Sequence, residues 1–255
     1  MIHVNFESDP VGPYSDEMLQ RDWGEIGWAN LHGRARIVEE ENAGSNRALR
    51  ISYPAGALGP SQGGCQFVVP LPPLEELWLS YRVKFGERFD FVLGGKLPGL
   101  TSGGGKYSGG VRPKDGDGWS ARYMWREGGK AVIYLYSVDM PGIWGEDIPL
   151  DGTAFSPGTW HRVTQHIKVN TPGLSDGILD VWFDGRKALS RSDIRFRLGE
   201  KALIDSFFFS TFHGGATAEW APRADSFAFF GDFTIGRTPL EHHELPDKPE
   251  QHDAK

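Results

Sequence analysis

The chain has 255 residues, of which 39% are hydrophobic and 13% aromatic, and its formal net charge is -7. This charge argues against general nucleic-acid binding, and no apolar run approaches the roughly 20 residues of a membrane span. Cys65 is the single cysteine, which excludes a disulfide within the chain and a thiolate metal site.

Glycine and proline residues occur throughout the chain. Its 34 glycines and 17 prolines are spread along the sequence, as is typical of many short strands joined by turns. We therefore expect an all-β protein, with residues 1–237 in one domain. The start of the chain lacks a basic segment followed by an apolar one, so no signal peptide is expected in it.

The first 60 residues alternate short apolar stretches with turn-rich segments, and they predict peripheral strands and connections. Residues 77–85 carry apolar side chains at alternate positions, which predicts a central strand. The next feature is the motif Gly94-Gly95-Lys96-Leu97-Pro98-Gly99, in which Lys96 lies between glycines and a Leu-Pro-Gly turn. Because glycine permits close approach of a ligand or another backbone, Lys96 is a candidate site residue.

Residues 101–118 contain seven glycines and predict a long loop. A loop of this length inside a compact domain is commonly functional or mobile. It predicts either a flap over a groove or a plain surface loop. Within it, Asp115-Gly116-Asp117-Gly118 resembles part of a calcium loop, but two carboxylates fall short of a full oxygen shell, so we interpret it as a turn.

The next two strands, residues 120–126 and 131–138, predict a hairpin. Alternate residues of a strand share a face, which groups Ser120 with Arg122 and Arg126, and Tyr134 with Tyr136. A two-residue turn at Gly128-Gly129 would put the tyrosines on the wrong face. A loop with an odd number of residues would bring Arg122 opposite Tyr134 or Tyr136, because a slip of one residue exchanges the faces.

Four further segments with strand character follow, one of them a hairpin. Residues 160–170 predict one strand, and residues 177–189 predict a hairpin that turns at Asp184-Gly185. Residues 206–212 are apolar on both faces, as in a strand buried between layers, and residues 227–235 predict the closing strand. Residues 238–255 are charged and poor in apolar side chains, which predicts a disordered tail.

Six motifs of the chain belong together: they are Gly94 to Gly99, Ser120-x-Arg122 followed by Met124-Trp125-Arg126, Tyr134-x-Tyr136, Trp160 to Val163, Asp176-Gly177 to Asp184-Gly185, and Phe208 to Gly215. In combination they resemble polysaccharide lyase family 14, which includes alginate lyases and glucuronate-polymer lyases. The likeness covers roughly residues 75 to 235 and implies a β-jelly roll sandwich of two antiparallel sheets with a concave substrate groove.

The resemblance implies an enzyme that cleaves a uronic-acid polymer by β-elimination, with alginate and its polymannuronate form as the expected substrate. It places the catalytic residues at Lys96, Ser120, Arg122, Tyr134 and Tyr136. Arg126, His213, Trp119 and Gly95 are added as substrate-binding residues. Because such polymers lie outside cells, we expect an exported protein, and we expect a monomer.

Elimination requires removal of the sugar C5 proton next to a carboxylate. Cations at that carboxylate stabilise the developing charge, and Arg122 and Lys96 are the candidates, with Ser120 as a supporting donor. A tyrosine is a candidate base, because nearby cations would lower its pKa from the usual ~10. Lys96 is the competing base, since burial among arginines would lower its own pKa. The sequence leaves these roles open.

Three alternatives remain at this stage: a glucuronan lyase with the same mechanism, a glycoside hydrolase and a non-catalytic carbohydrate-binding protein. A hydrolase needs two carboxylates roughly 5 to 10 Å apart, but Asp180 and Asp184 flank a predicted turn. Nine tryptophans would suit a binding module. His161, His166 and His213 lack a metal-binding spacing, so we expect neither a metal nor an organic cofactor.

Overall fold

The computed structural model describes residues 1–40 and 45–240. Within these residues the chain forms sixteen strands and two short α-helices. In chain order the elements are β1 (Ile2–Val4), β2 (Gly12–Pro13), α1 (Asp16–Trp23), β3 (Trp28–Asn30), β4 (Ala35–Glu39), β5 (Arg47–Tyr53), α2 (Gly59–Gln62), β6 (Cys65–Leu74), β7 (Glu76–Phe85), β8 (Gly94–Ser102), β9 (Trp119–Arg126), β10 (Lys130–Tyr136), β11 (Glu146–Ala154), β12 (Trp160–Lys168), β13 (Gly177–Phe183), β14 (Arg186–Ile194), β15 (Ile204–His213) and β16 (Ser226–Gly236).

The strands form two antiparallel sheets, which confirms the predicted β-jelly roll sandwich. The nine-stranded sheet has the order β14-β13-β12-β7-β16-β5-β4-β2, with β1 also paired to β16. The seven-stranded sheet has the order β11-β10-β9-β8-β15-β6-β3. Consecutive strands along the chain often pair within one sheet, as β8, β9, β10 and β11 do.

A layer of aromatic and aliphatic side chains between the sheets forms the core. Tyr81 from β7 meets Tyr123 from β9 edge to face, with ring centroids 5.9 Å apart. Because side chains alternate along a strand, Ala121, Tyr123 and Trp125 point into this core. Their neighbours in β9 therefore point away from it. We call the face of the seven-stranded sheet that points away from the core the site face.

Most predicted strands are confirmed with small shifts at their ends. β7 lies between β12 and β16 and is a central strand as predicted. The turn at Asp184-Gly185 joins β13 to β14, and both residues have positive φ angles, 49° and 79°, as in the tight hairpin turns that favour Asp-Gly. The predicted strand 206–212 is the central part of β15, between β6 and β8.

The first 60 residues contain a helix that the sequence prediction missed. α1 follows Ser15, whose side chain accepts a hydrogen bond from the Met18 amide, and it ends at Gly24. Ser before two acidic residues, with Gly after the last turn, is a helix signature at the level of sequence. Leu19 and Trp23 are buried, so the helix packs onto the sandwich with one face.

The predicted disordered tail lies largely outside the described residues, because positions 241–255 are not among them. In the described ranges no helix is both long and apolar enough to cross a membrane. Cys65 is buried.

Candidate active site

The hairpin between β9 and β10 sets the register of the site. Its connection, Glu127–Gly129, has an odd number of residues, and Gly128 and Gly129 adopt positive φ angles of 68° and 79°. Glycine accepts this conformation at little cost. Tyr134 therefore pairs with Arg122, and Tyr136 with Ser120. Of the two loops considered from sequence, the structure has the one that groups the phenols with the arginine.

Lys96 reaches the same face from β8, which contains a bulge. The pairing of β8 with β9 shifts between Lys96 and Gly99, while Leu97 is fully buried in the core. The Leu-Pro-Gly turn predicted here is therefore wrong, because these residues continue the strand. A bulge re-aims the side chains on either side of it, and here it accompanies the close approach of β8 to Arg122.

Substitution of Gly99 by alanine should disturb this bulge. A Cβ at Gly99 would lie 2.2 Å from the Ala121 carbonyl oxygen and 2.6 Å from the Arg122 Cα, so backbone must move. We expect Gly99→Ala to lower the free energy of unfolding by about 1–3 kcal/mol and to reduce activity by displacing Arg122. Urea unfolding measures the first effect. Gly199→Ala is the matched control, because its Cβ would meet nothing within 4 Å; equal stability of both variants would contradict the prediction.

Lys96 is a cation in a site that disfavours its charge. Its Nζ lies 3.7 Å from the centroid of the Tyr134 ring and donates a hydrogen bond to the Met124 sulphur over 2.7 Å. Burial lowers the pKa of Lys96 well below its usual range, and the charges of Arg122 and Arg126 lower it further. The side chain thus presents an amine that readily loses its extra proton, which agrees with the pKa shift expected from the sequence.

Arg122 is a buried cation with no acidic partner in the part of the chain that the structure describes. Arg122 is 1% exposed, and its Nη1 donates a hydrogen bond to Ser210 Oγ over 3.0 Å. Its Nε atom is buried without a hydrogen-bond partner. Burial lowers the pKa of Arg122 to about 10, so the guanidinium is still charged at neutral pH. A buried charge is costly unless it is paired. The geometry is therefore suited to receive an anion.

The two phenols lie beside each other on β10. Their ring centroids are 5.4 Å apart with the planes nearly perpendicular, and the Tyr136 hydroxyl accepts a hydrogen bond from the Gly110 amide over 3.1 Å. Burial, followed by the neighbouring Tyr136, raises the pKa of Tyr134 above its usual value. The sequence analysis expected nearby cations to lower it. That expectation is wrong for Tyr134, because the loss of hydration outweighs the attraction of Arg126.

Ser120 connects the site to the glycine-rich loop. Its Oγ donates to the Tyr107 carbonyl over 2.6 Å and is fully buried. The single hydroxyl proton is thus engaged, and Ser120 does not present the free donor that was expected for the substrate carboxylate. Tyr107 packs on the site face with Met124 and both phenols. Residues 103–118 accordingly lie over one end of the site face and are anchored there, rather than forming a plain surface loop.

Arg126 lies at the edge of the site and already has a partner. Its guanidinium makes two hydrogen bonds to the Asp147 carboxylate, over 2.8 and 2.6 Å. Its Cζ also lies 5.6 Å from the ring centroid of Trp220. The predicted contact with substrate would therefore share this cation with a carboxylate. Asp147 also offsets part of the effect of the two arginines on Lys96.

Comparison with known proteins identifies the family. The family model for Polysaccharide lyase 14 matches residues 41–233, which is well over half of the chain. The chain belongs to this family. It is a polysaccharide lyase, and the resemblance drawn from its motifs is confirmed. Among curated proteins none matches the sequence.

Solved structures of alginate lyases share the fold. The alginate lyase Aly36B is 28% identical, with a TM-score of 0.81 over 94% of this chain and 98% of its own. The alginate lyase of Aplysia kurodai is 25% identical, with a TM-score of 0.80 over 92% and 98%. The alginate lyase vAL-1 from Chlorella virus is 25% identical, with a TM-score of 0.72 over 89% and 100%. These likenesses support a lyase that acts on a uronate polymer.

Three residues that were predicted to bind substrate lie in the interior of the lyase. Trp119 is fully buried, packs on Phe196 and donates to the Ala202 carbonyl. His213 is 2% exposed, stacks on Phe89 and hydrogen-bonds to the Asp90 carbonyl. A Cβ on Gly95 would lie 2.1 Å from the Trp125 ring. All three residues are therefore packing residues. The prediction that they contact substrate directly is corrected by these interior contacts.

Sequence reasoning missed several side chains on the rim of the site. Gln66 donates to Ser210 Oγ over 2.9 Å and extends the polar row that begins at Arg122. Trp144 is 58% exposed and borders Gly110 of the anchored loop. Its neighbour Gly145 lies against both phenol rings. The sequence has nine tryptophans and does not show which of them borders the site; the contacts at Gly110 and Gly145 place Trp144 there.

The described residues contain no cluster of three or more His, Cys, Asp and Glu side chains that could hold a metal ion. Asp117 of the suspected calcium loop pairs with Lys106 instead. The three histidines singled out in the sequence have structural partners: His161 with Asp184, His166 with Glu76, and His213 as described above. The expectation that the lyase needs no metal or organic cofactor remains a prediction.

Proposed function

We propose that this lyase cleaves alginate by β-elimination and prefers mannuronate blocks. The observation that carries the proposal is Arg122, which is buried without an acidic partner among residues 1–40 and 45–240 and shares the site face with a lysine of lowered pKa and a tyrosine of raised pKa. A uronate carboxylate is the anion that fits a planar guanidinium. The expected substrate contacts are Arg122, with Ser210 and Gln66 continuing the polar row.

Lys96 is assigned as the base. Its neutral amine takes the C5 proton, while Arg122 stabilises the charge that develops on the adjacent carboxylate. The electron pair of the C5–H bond forms the C4–C5 double bond, and the C4–O bond breaks. An amine whose pKa is lowered by burial and by two arginines is better suited to this step than a phenol whose pKa is raised.

Tyr134 is assigned as the acid. Its raised pKa keeps the hydroxyl protonated, so it can donate that proton to the departing O4 oxygen. The Lys96 amine lies against the same ring. After the product leaves, the proton gained by Lys96 is available to restore the phenol. Charge and protons therefore balance over one cycle without another reactant.

The preference for mannuronate follows from the side on which these groups lie. Lys96 and Tyr134 both rise from the site face and touch each other, so base and acid approach the sugar from one side. In mannuronate the C5 hydrogen and the C4 oxygen are on the same side of the ring, whereas in guluronate they are on opposite sides. Glucuronate shares the mannuronate arrangement at these two carbons, so the geometry also admits glucuronan.

Relatives support the choice of polymer. Aly36B variants with a lysine and a tyrosine, or a lysine and a methionine, replaced by alanine bind alginate tetrasaccharide and trisaccharide in their structures. The replaced lysine and methionine are 28 positions apart, which is also the separation of Lys96 and Met124. The contact between these two side chains is thus proposed to belong to the site. Export and a monomeric state remain predictions.

The test is to incubate the protein with polymannuronate, polyguluronate and glucuronan and to follow the ultraviolet absorbance of the unsaturated product. Polymannuronate should give the fastest rise. Reducing ends released without new absorbance would indicate hydrolysis and contradict elimination. Rapid cleavage of polyguluronate alone would contradict the one-sided arrangement of acid and base.

A further inference from the structure

The outer face of the nine-stranded sheet, opposite the site face, carries a row of cations and aromatic rings. In register across five strands, Trp160 pairs with Lys84, Lys84 with Phe229, Phe229 with Arg50, and Arg50 with Arg36. One step along the strands, Arg162 pairs with Arg82. We call these five cations and their rings the basic band. Strands lie about 4.8 Å apart, so the band spans roughly 19 Å.

Aromatic rings contact two of the five cations, Lys84 and Arg50. Lys84 Nζ lies 4.8 Å from the ring centroid of Phe229 and 5.5 Å from that of Trp160. Arg50 Cζ lies 4.8 Å from the ring centroid of Phe227. A cation over a ring face is attracted to it and is partly removed from water. Its attraction for a further anion is less weakened by solvent than that of a freely moving surface lysine.

The band has more cations than carboxylates. Among the described residues, Glu40 pairs with Lys84, and Asp232 pairs with Arg82 and Arg162. These ion pairs of the described residues set two carboxylates against five cations, although the chain as a whole has a net charge of -7. The Nε atoms of Arg50 and Arg162 are buried without a hydrogen-bond partner. This local reversal of charge points to an anionic ligand.

We infer that the basic band is a second, non-catalytic binding surface for an anionic polysaccharide. Its length suits several sugar residues in a row, and the carboxylates of a uronate polymer recur along the chain as partners for the cations, while the rings offer faces for the sugars. The inference depends on the proposed function only for the choice of polymer. The band would hold the enzyme within a network of polymer while the site face acts on another chain, since a second contact raises the effective concentration of substrate.

The test measures retention of the full chain in native gels that contain polymannuronate. All proteins carry Lys96→Ala, so that the polymer is not degraded during the run. Arg36→Gln combined with Arg50→Gln should weaken binding about fivefold relative to this parent. Arg36→Lys with Arg50→Lys keeps the charge and should retain most of the binding. Arg186→Gln with Lys201→Gln removes two exposed cations elsewhere and serves as the matched control.

Added salt should reduce the difference between parent and glutamine variant, and gels with uncharged dextran should show no difference. Equal retention of the glutamine variant and the parent would overturn the inference, as would an equal loss in the matched control. If the glutamine variant has a lower melting temperature than the parent, its loss of binding is not counted, and the lysine variant is compared with the parent instead. The lysine variant must then bind like the parent. Failure of the proposed function is read separately, from the absence of unsaturated product with the unmodified chain.

Discussion

Replacement of Lys96 by arginine is expected to lower the turnover of polymannuronate by about 1,000-fold, within the range found for loss of a general base. Arginine keeps the positive charge and a similar length, but it cannot give up its proton to become a base at accessible pH. If Lys96 served only to attract the carboxylate, arginine would preserve most of the activity. The initial rate of ultraviolet absorbance gives the answer directly.

The pH profile adds a second, independent measurement. Burial and two arginines lower the pKa of Lys96, so the active, neutral amine forms at a lower pH than for an ordinary lysine. Activity should rise with pH as this proton is lost, and the midpoint should lie well below the usual lysine value of ~10.4. Arg126→Gln removes one of the nearby charges and should move that midpoint upward. A midpoint that does not move would argue against Lys96 as the titrating group.

Binding must be checked beside turnover. Lys96→Met removes the amine but retains an unbranched apolar chain, and it should bind alginate tetrasaccharide within a few-fold of the parent because Arg122 remains. Lys96→Arg adds bulk next to Met124, so a double variant with Met124→Ala restores space. Recovery of activity in that double variant would show that crowding, rather than the lost base, caused the defect.

The fold could be predicted from the sequence because the patterns that specify its strands and turns are local. Alternation in residues 77–85 and the Asp184-Gly185 turn each specify a strand or hairpin without reference to distant residues. α1 was missed although its cap residues were visible, since the glycine- and proline-rich composition favoured strands throughout. The bulge in β8 was read as a turn because Pro98 and Gly99 are common in both.

The active site could be predicted from the sequence only in part. Cations and phenols at alternate positions identify a shared face, but the grouping depends on the length of one loop, and the sequence admitted two lengths. Burial was the larger obstacle. Trp119 and Gly95 are sequence neighbours of site residues, and His213 follows Ser210 by three positions, yet all three are buried against core rings. The direction of the Tyr134 pKa shift depends on how much water reaches the ring. Neither property can be read from adjacent residues alone.

Replacement of Tyr134 by phenylalanine is expected to reduce turnover at least about 100-fold and to leave polymer binding nearly unchanged. The ring that supports Lys96 remains, and only the hydroxyl that would protonate O4 is lost. Tyr136→Phe is the companion variant. Its hydroxyl accepts the Gly110 amide, so this change should also loosen the loop over the site. Unchanged turnover in both variants would exclude a phenol from the mechanism.

The assignment of Tyr134 as acid, rather than base, can be decided by the leaving group. An aryloxy group at C4 of a uronate can leave as an anion without being protonated. The Tyr134→Phe variant should therefore cleave such a substrate at a rate close to that of the unmodified lyase. Lys96→Arg should stay inactive on the same compound, because the C5 proton must still be removed. If the aryl substrate restored the activity of the lysine variant but not of the tyrosine variant, Lys96 would be the acid and Tyr134 the base. The bound substrate would then have to lower the raised pKa of Tyr134.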